Sequence, residues 1–476
     1  MMLRRQPLQR FQRLALSQTS RTLSQTPRFV HQSSRQNVAV PTSSQVSDSP
    51  EVEPIQSEPR RVTTTAVLGR LPTSTVLRSY LITAMSSSPL LLSACFGILR
   101  RMLDSKSFLM SIERNPVLSS LLKKTFYAQF CVGEKKDEVV RNTDFARTLG
   151  YGGILFEYAL EVLGGEAPTA AETKQEIELW RKGMLQSVDM AKEGDFVGLK
   201  WSGLGRHALN LLQNQQDATP EMWSAITAAC DAAAAKGVSL LPGAEEEATN
   251  LGLEKWTLSL QKKYNTLEQG RAVLYITYQC YLRDISKRMA QHLETASKGG
   301  YIAGVKLVRG AYLTSEPKHL TFDTKEGTDI NYDACADAVL RQQWTDTVST
   351  PTPSMSFPRV NIVLATHNLV SVHKAKKIRA EQMASTTPEN LPPLVYAQLQ
   401  GMADEVSQSL VQDPTMKADI NAKVIKCMTW GTTMECLNFL LRRASENKEA
   451  AMRTEDTRKA MGKELARRMR GIFGLA

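Results

Sequence analysis

The chain has 476 residues, 42% hydrophobic and 22% charged, enough apolar material for a large globular core. Its net charge of +11 is uneven: residues 1–47 hold seven Arg and no Asp, Glu or Lys, and taking these seven from eleven leaves +4, so no nucleic-acid partner is expected. Seven scattered Cys, with no CxxC pair and no His cluster, exclude a disulfide framework and a zinc site, and no metal is expected.

Residues 1–45 are rich in Arg, Ser, Gln and Thr and lack acids, the composition of a mitochondrial transit peptide. A polar linker with Pro50, Pro54 and Pro59 follows over residues 46–61. Residues 62–149 read as a helical N-terminal region. Its most apolar stretch, Tyr80–Leu99, is interrupted by Ser86-Ser87-Ser88-Pro89 and bounded by Arg100-Arg101. A spanning helix needs about twenty uninterrupted apolar residues. Two short helices that cover a barrel or touch a membrane surface are expected instead.

From residue 150 to 476 short apolar runs alternate with longer amphipathic stretches. The expected strands are Gly153–Tyr158, Phe196–Trp201, Val238–Leu241, Val273–Gln279, Gly304–Arg309, Asn361–Thr366, Leu394–Leu399 and Val424–Met428. Helical patterns fall between them, at Glu172–Ala191, Pro220–Lys236, Leu282–Ser297, Asp333–Gln343 and Val370–Met383. Eight strand–helix units predict an α/β fold, a (β/α)8 TIM-like barrel. A doubly wound open sheet is the alternative, and it usually has fewer units.

Barrel chemistry collects where strands end. Those ends carry Lys200, Glu245, Gln279, Arg309, Thr366-His367-Asn368, Gln398 and Lys426. Gly203-Leu204-Gly205 lacks the third glycine of a dinucleotide motif and reads as a turn. There is no HExxH and no GxSxG. A flavin would therefore bind on the barrel rim.

After the last strand and Gly431 comes an amphipathic helix. Phe439, Arg442, Arg443 and Glu446 share one of its faces. Adjacent guanidiniums can form a fork for a planar carboxylate, with Glu446 holding the fork. The bland alternative is a solvated basic helix end that complements the helix dipole.

Four segments in this order resemble the proline dehydrogenase family of barrel flavoenzymes. They are Lys306-Leu307-Val308-Arg309-Gly310-Ala311-Tyr312, Ala365-Thr366-His367-Asn368, Gln398-Leu399-Gln400-Gly401-Met402-Ala403-Asp404 and Arg442-Arg443-Ala444-Ser445-Glu446-Asn447. The likeness runs from about residue 70 to 473 and is nearest to mitochondrial, fungal-type members. It implies FAD-dependent oxidation of L-proline to a pyrroline carboxylate in the mitochondrion, on the matrix side at the inner-membrane surface, with electrons passed to a quinone. It implies that Lys200, Arg442 and Arg443 grip the substrate carboxylate and that Glu446 orients the arginines. Tyr312 would lie against the substrate, with Leu399, Cys427 and Phe439 lining its pocket. Gln279, Lys306, Val308, Thr366, His367 and Asn368 would contact the flavin, and Thr324 and Lys325 its ribose or pyrophosphate. Lys306 and Arg309 alternate on one strand, so one of them must face away from the barrel axis.

Two positions depart from the family pattern. Gly243 stands where an Asp is usual, and Cys427 where a Tyr is usual. Phe439 replaces a further frequent Tyr. Trp430 is a candidate to fill the space beside Cys427. These departures keep two other readings open: the same chemistry on hydroxyproline or another cyclic amino acid, or a catalytically weak flavin-binding relative.

Overall fold

The computed structural model describes residues 66–446 and 454–474 apart from Lys106, Glu113, Glu161, Leu163, Pro351 and Pro353. The expected transit peptide and linker lie outside the described residues.

Nine parallel strands build the sheet: β1 Cys131–Gly133, β2 Gly153–Tyr158, β3 Phe196–Leu199, β4 Ser239–Pro242, β5 Ile276–Gln279, β6 Ala303–Val308, β7 Val360–Ala365, β8 Leu394–Leu399 and β9 Ala422–Trp430. Strands β2 to β9 pair in chain order, and β9 returns to β2 through six paired positions, Gly153–Tyr158 against Ile425–Trp430. The circle is completed between β4 and β5, where Leu240 bridges Leu274. The predicted barrel is therefore present, with all eight expected strands at their places. The short β1 pairs with the outer end of β9 and was not anticipated.

Element ends differ from expectation for local reasons. β3 stops at Leu199 because Trp201–Leu204 tightens into a 3-10 turn. Residues 273–275, read as strand, meet β4 only through the bonds of Val273 and Tyr275 to Leu240, and one side chain reinforces them. Asn265 is fully buried. Its Oδ1 accepts from the amides of Val273 and Leu274 at 2.8 and 2.9 Å. Its Nδ2 donates to the carbonyls of Leu274 and Ile302 at 2.8 and 3.0 Å. All four hydrogen-bonding valences of the amide are used to join the weak β4–β5 edge to the chain entering β6. Among the described residues of the barrel region, five helices went unread in the sequence: Arg206–Gln213, Glu247–Tyr264, Asp404–Gln412, Pro414–Ala418 and Glu455–Ile472.

The N-terminal stretch forms two helices, α1 Thr73–Ser86 and α2 Pro89–Asp104, which meet at a 104° bend. Proline starts α2 at the position where a missing amide costs nothing. α2 buries Leu99 and Met102 against Leu437 and Leu441 of the helix Thr433–Glu446, here called the clamp helix. α1 packs along the C-terminal helix Glu455–Ile472, with Val76 against Met461. Among the described residues no single helix is long and apolar enough to cross a membrane.

Asn265→Leu keeps the volume and removes every one of these four contacts. Each orphaned buried group costs about 1–3 kcal/mol, so a loss of at least about 3 kcal/mol is expected. It should appear as a lowered urea midpoint. An unchanged midpoint would mean that barrel closure does not depend on Asn265.

Candidate functional site

Side chains alternate along a strand, so every second residue points into the barrel. The lower inward positions are apolar: Leu155, Phe196, Leu241, Tyr275, Val363, Val395 and Ile425 form one buried cluster. Continuing the same alternation toward the strand ends gives Glu157, Lys200, Gly243, Gln279, Lys306, Val308, His367, Leu399 and Cys427. An apolar plug thus carries a largely polar ring at the mouth.

Lys306 is the inward member of its pair. Burial lowers its pKa, and Glu157 pulls the other way. Arg309 lies on the opposite parity. It donates to Asp329 at 2.6 Å, Thr366 Oγ1 at 2.7 Å and Ser371 Oγ at 2.8 Å. Lys426 and Gln398, both read as rim groups, also turn outward. Lys426 pairs with Asp404 at 2.8 Å, and Gln398 bonds the Thr366 carbonyl and Ser407. Their parity is opposite to that of Cys427 and Leu399, which explains the difference.

The clamp helix crosses above the mouth. It starts with a reciprocal cap, in which Thr432 N donates to Glu435 Oε2 at 2.8 Å and Glu435 N donates to Thr432 Oγ1 at 3.3 Å. Glu134 accepts from Thr433 N at 2.7 Å, and Tyr127 Oη donates to the Gly431 carbonyl at 2.8 Å. These contacts fix the helix against the segment before the barrel. One turn further on, the Arg443 guanidinium lies 5.3 Å from the Phe439 ring centroid and 5.8 Å from that of Tyr312. Tyr312 Oη accepts from Arg443 Nη1 at 3.1 Å and from Lys200 Nζ at 3.3 Å. Residues 200, 312 and 443, far apart in sequence, therefore meet at one hydroxyl. Arg442 follows on the same helix, half-buried; the Glu446 side chain lies outside the described residues.

The remaining candidates sit around this centre. Gln279 is buried; its Nε2 donates to the Glu245 carbonyl at 2.9 Å and its Oε1 accepts from Ala311 N at 3.4 Å. Leu399 is exposed at the mouth, and its amide donates to His367 Nε2 at 3.2 Å. His367 is exposed at the mouth; desolvation by the surrounding barrel wall, and then the charge of Lys426, push its pKa down to about 4. Thr366 Oγ1 also accepts from Asn368 N at 3.0 Å, and Asn368 caps the helix Leu369–Ser385. Thr324 caps the helix Lys325–Arg341, and Lys325 is paired with Asp329.

Cys427 Sγ donates to Glu157 Oε2 at 3.2 Å, and burial together with Glu157 raises the thiol pKa. Glu157 was not singled out in the sequence. The signal for it was present: it is two residues beyond an inward leucine in a strand whose limits were read correctly. Trp430 does not fill the space beside Cys427. It stacks on Tyr158 at 4.5 Å and donates to Ser187 on the outer side of the sheet. A side chain at Gly243 is sterically allowed, since a Cβ there would find the Leu199 carbonyl at 3.6 Å and Lys200 Cγ at 3.9 Å.

A parallel barrel whose mouth gathers a guanidinium and an ammonium on one tyrosine is suited to gripping a small carboxylate. Comparison with known proteins gives the family. The proline dehydrogenase family model matches residues 149–456, and the chain belongs to that family. It is 27% identical over 399 residues to the probable mitochondrial proline dehydrogenase of Schizosaccharomyces pombe, covering 72% of this chain and 80% of that one. It is 32% identical over 250 residues to the hydroxyproline dehydrogenase of Mus musculus, covering 50% of each. Proline utilization A from Bdellovibrio bacteriovorus shares the fold with a TM-score of 0.56 at 18% identity, over 80% of this chain and 41% of that longer one.

A histidine held at a pKa of about 4 stays neutral where a free one, at about 6.5, takes up a proton. The unfolded chain then binds more protons between these values, so this group lowers stability as pH falls from 6.5 to 4. The His367 imidazole resonance should titrate well below pH 6. Replacement by Asn should flatten the fall in urea midpoint over that window. A titration midpoint near 6.5 would contradict the crowded-wall account.

Proposed function

We propose that the chain is an FAD-dependent dehydrogenase of L-proline, forming 1-pyrroline-5-carboxylate and passing electrons to a quinone at the mitochondrial inner-membrane surface. The observation that carries this reading is the junction of Lys200, Arg443 and Tyr312, with Arg442 beside it. Two cations meeting at one small site suit a substrate carboxylate, and such charge-assisted bonds are about twice as strong as neutral ones. Tyr312 Oη is held between two donors, which fixes its ring as a wall for the substrate. The same positive field favours the neutral form of the substrate amine, which must lose its proton before oxidation. Leu399 and Phe439 supply apolar walls, and Glu446 would orient the arginines.

The donor set fits a flavin. Gln279, Lys306 and the neutral His367 offer donors and an acceptor on one inward ring, with Val308 as apolar support; Thr366 and Asn368 follow on the adjoining loop. Thr324 and Lys325 open a 17-residue helix, whose first amides suit a pyrophosphate. When bound, FAD supplies the acceptor for a hydride from the ring carbon next to nitrogen. The mitochondrial setting is supported by the acid-free N-terminal composition and by the name of the Schizosaccharomyces pombe relative.

A second reading, oxidation of hydroxyproline, is favoured by one observation. Cys427 points into the barrel beside Glu157 while Trp430 points away, so a ring substituent has room and a polar neighbour. The hydroxyproline dehydrogenase relative is consistent with it.

The direct test is anaerobic bleaching of the bound flavin by proline and by 4-hydroxyproline; no bleaching with either overturns the dehydrogenase reading. Arg442→Met and Arg443→Met should each weaken substrate binding by about 2–5 kcal/mol, read as a raised KM. Near wild-type KM in both would remove the clamp. Wild type should discriminate poorly between the two substrates in kcat/KM. Gly243→Asp combined with Cys427→Tyr should favour proline more than the single changes summed, because the restored hydroxyl would gain the restored carboxylate as a partner. Simple additivity in the four-variant comparison would count against the open-pocket account.

A further inference from the structure

We propose that α2 and the turn after it form a docking face for an anionic phospholipid bilayer, set directly behind the clamp helix. The proposal deepens the reading of a quinone acceptor, and it rests on that reading for its purpose but not for its observations. α2 is amphipathic in an unusual sense: both of its sides are apolar. Leu99 and Met102 are buried on the clamp helix. Leu90, Leu91 and Ile98 face outward, with Leu90 84% exposed. The turn beyond α2 adds Phe108 at 62% and Leu109 at 74% exposure. Five large apolar side chains left exposed on one short segment are the kind of surface that marks an interaction site.

Charge selects the occupant. Residues 66–133 contain eight Lys or Arg and two Asp or Glu, whereas residues 134–476 contain equal numbers of each sign. The whole positive excess of the described part thus lies on the stretch that exposes the leucines. Apolar groups flanked by cations match a bilayer with anionic headgroups, where each basic side chain adds about 1 kcal/mol. The face lies on the bilayer and does not cross it. α2 has 16 residues, about 24 Å of helix, against a hydrocarbon core of about 30 Å, and the chain bends by 104° before it. The face and the substrate grip share the clamp helix, with Leu437 and Leu441 on one side of it and Phe439 and Arg443 on the other. Docking there brings a bilayer-dissolved acceptor close to the mouth.

The test uses the full flavin-loaded chain and sedimentation with vesicles of phosphatidylcholine, with or without phosphatidylglycerol. At about 0.5 M salt, attraction through the arginine-rich residues 1–47 is screened, and apolar docking persists. Wild type should still sediment with the mixed vesicles. Leu90→Glu/Phe108→Glu/Leu109→Glu should lose more than about tenfold in affinity. It should keep proline oxidation with a soluble dye while losing oxidation with a vesicle-embedded quinone. In a separate arm at about 0.1 M salt, where surface charge still acts, Arg101→Glu/Lys124→Glu should reduce the preference for anionic over neutral vesicles. Wild type left in the supernatant, or a triple variant that sediments like wild type, would overturn the proposal. So would a triple variant that merely turns a dimer into a monomer, since the face would then join two copies. Vesicle binding without any dye-linked proline oxidation would leave the docking face standing and overturn the dehydrogenase reading instead.

Discussion

Closure of a parallel sheet forces alternate residues into a space too narrow for water, and most of this architecture follows from that constraint. The lower inward positions must be apolar, and Leu155, Phe196, Leu241, Val363 and Ile425 meet the demand. Two residues higher the space opens, and the same strands present Glu157, Gly243, His367 and Cys427. A one-residue slip would exchange these for Phe156, Thr366 and Met428, which belong against the helices. Register is therefore fixed by the plug, and the mouth inherits its geometry from it. The barrel is weakest between β4 and β5, where Asn265 reinforces the ladder with hydrogen bonds of its own.

Cations near the mouth are held in two different ways. Outward ones are neutralised at close range: Arg309 by Asp329 and Lys426 by Asp404. Removing one partner of such a buried pair typically costs about 3–5 kcal/mol, so these pairs lock helices onto the sheet. Arg443 and Lys200 converge on the Tyr312 hydroxyl at the mouth.

The clamp helix ties the site to the N-terminal segment. Its start is pinned by Glu134 and Tyr127, and its back is covered by α2. The helices before the barrel are thus part of the frame that aims the arginines. Gly243 and Cys427 stand on the barrel wall itself, Gly243 beside Lys200 and Cys427 against Glu157.

The sequence by itself determined the eight barrel strands, their order and the family, because period-two apolar runs and four short motifs are local signals; the short β1 was not among them. Gly153–Tyr158 and Leu394–Leu399 were legible to the residue. It also showed that Lys306 and Arg309 could not both face inward. Only the tertiary structure decided which did, since parity is absolute only once the plug defines the inside. It decided that Trp430 packs outward on Tyr158, leaving Cys427 facing Glu157. The meeting of Lys200, Tyr312 and Arg443 was likewise invisible as geometry, because it joins two loop residues and a helix residue more than a hundred positions apart. Asn265 carried no pattern at all: a single polar residue between a helix and a strand reads as a turn, and its role exists only where four backbone groups converge on it.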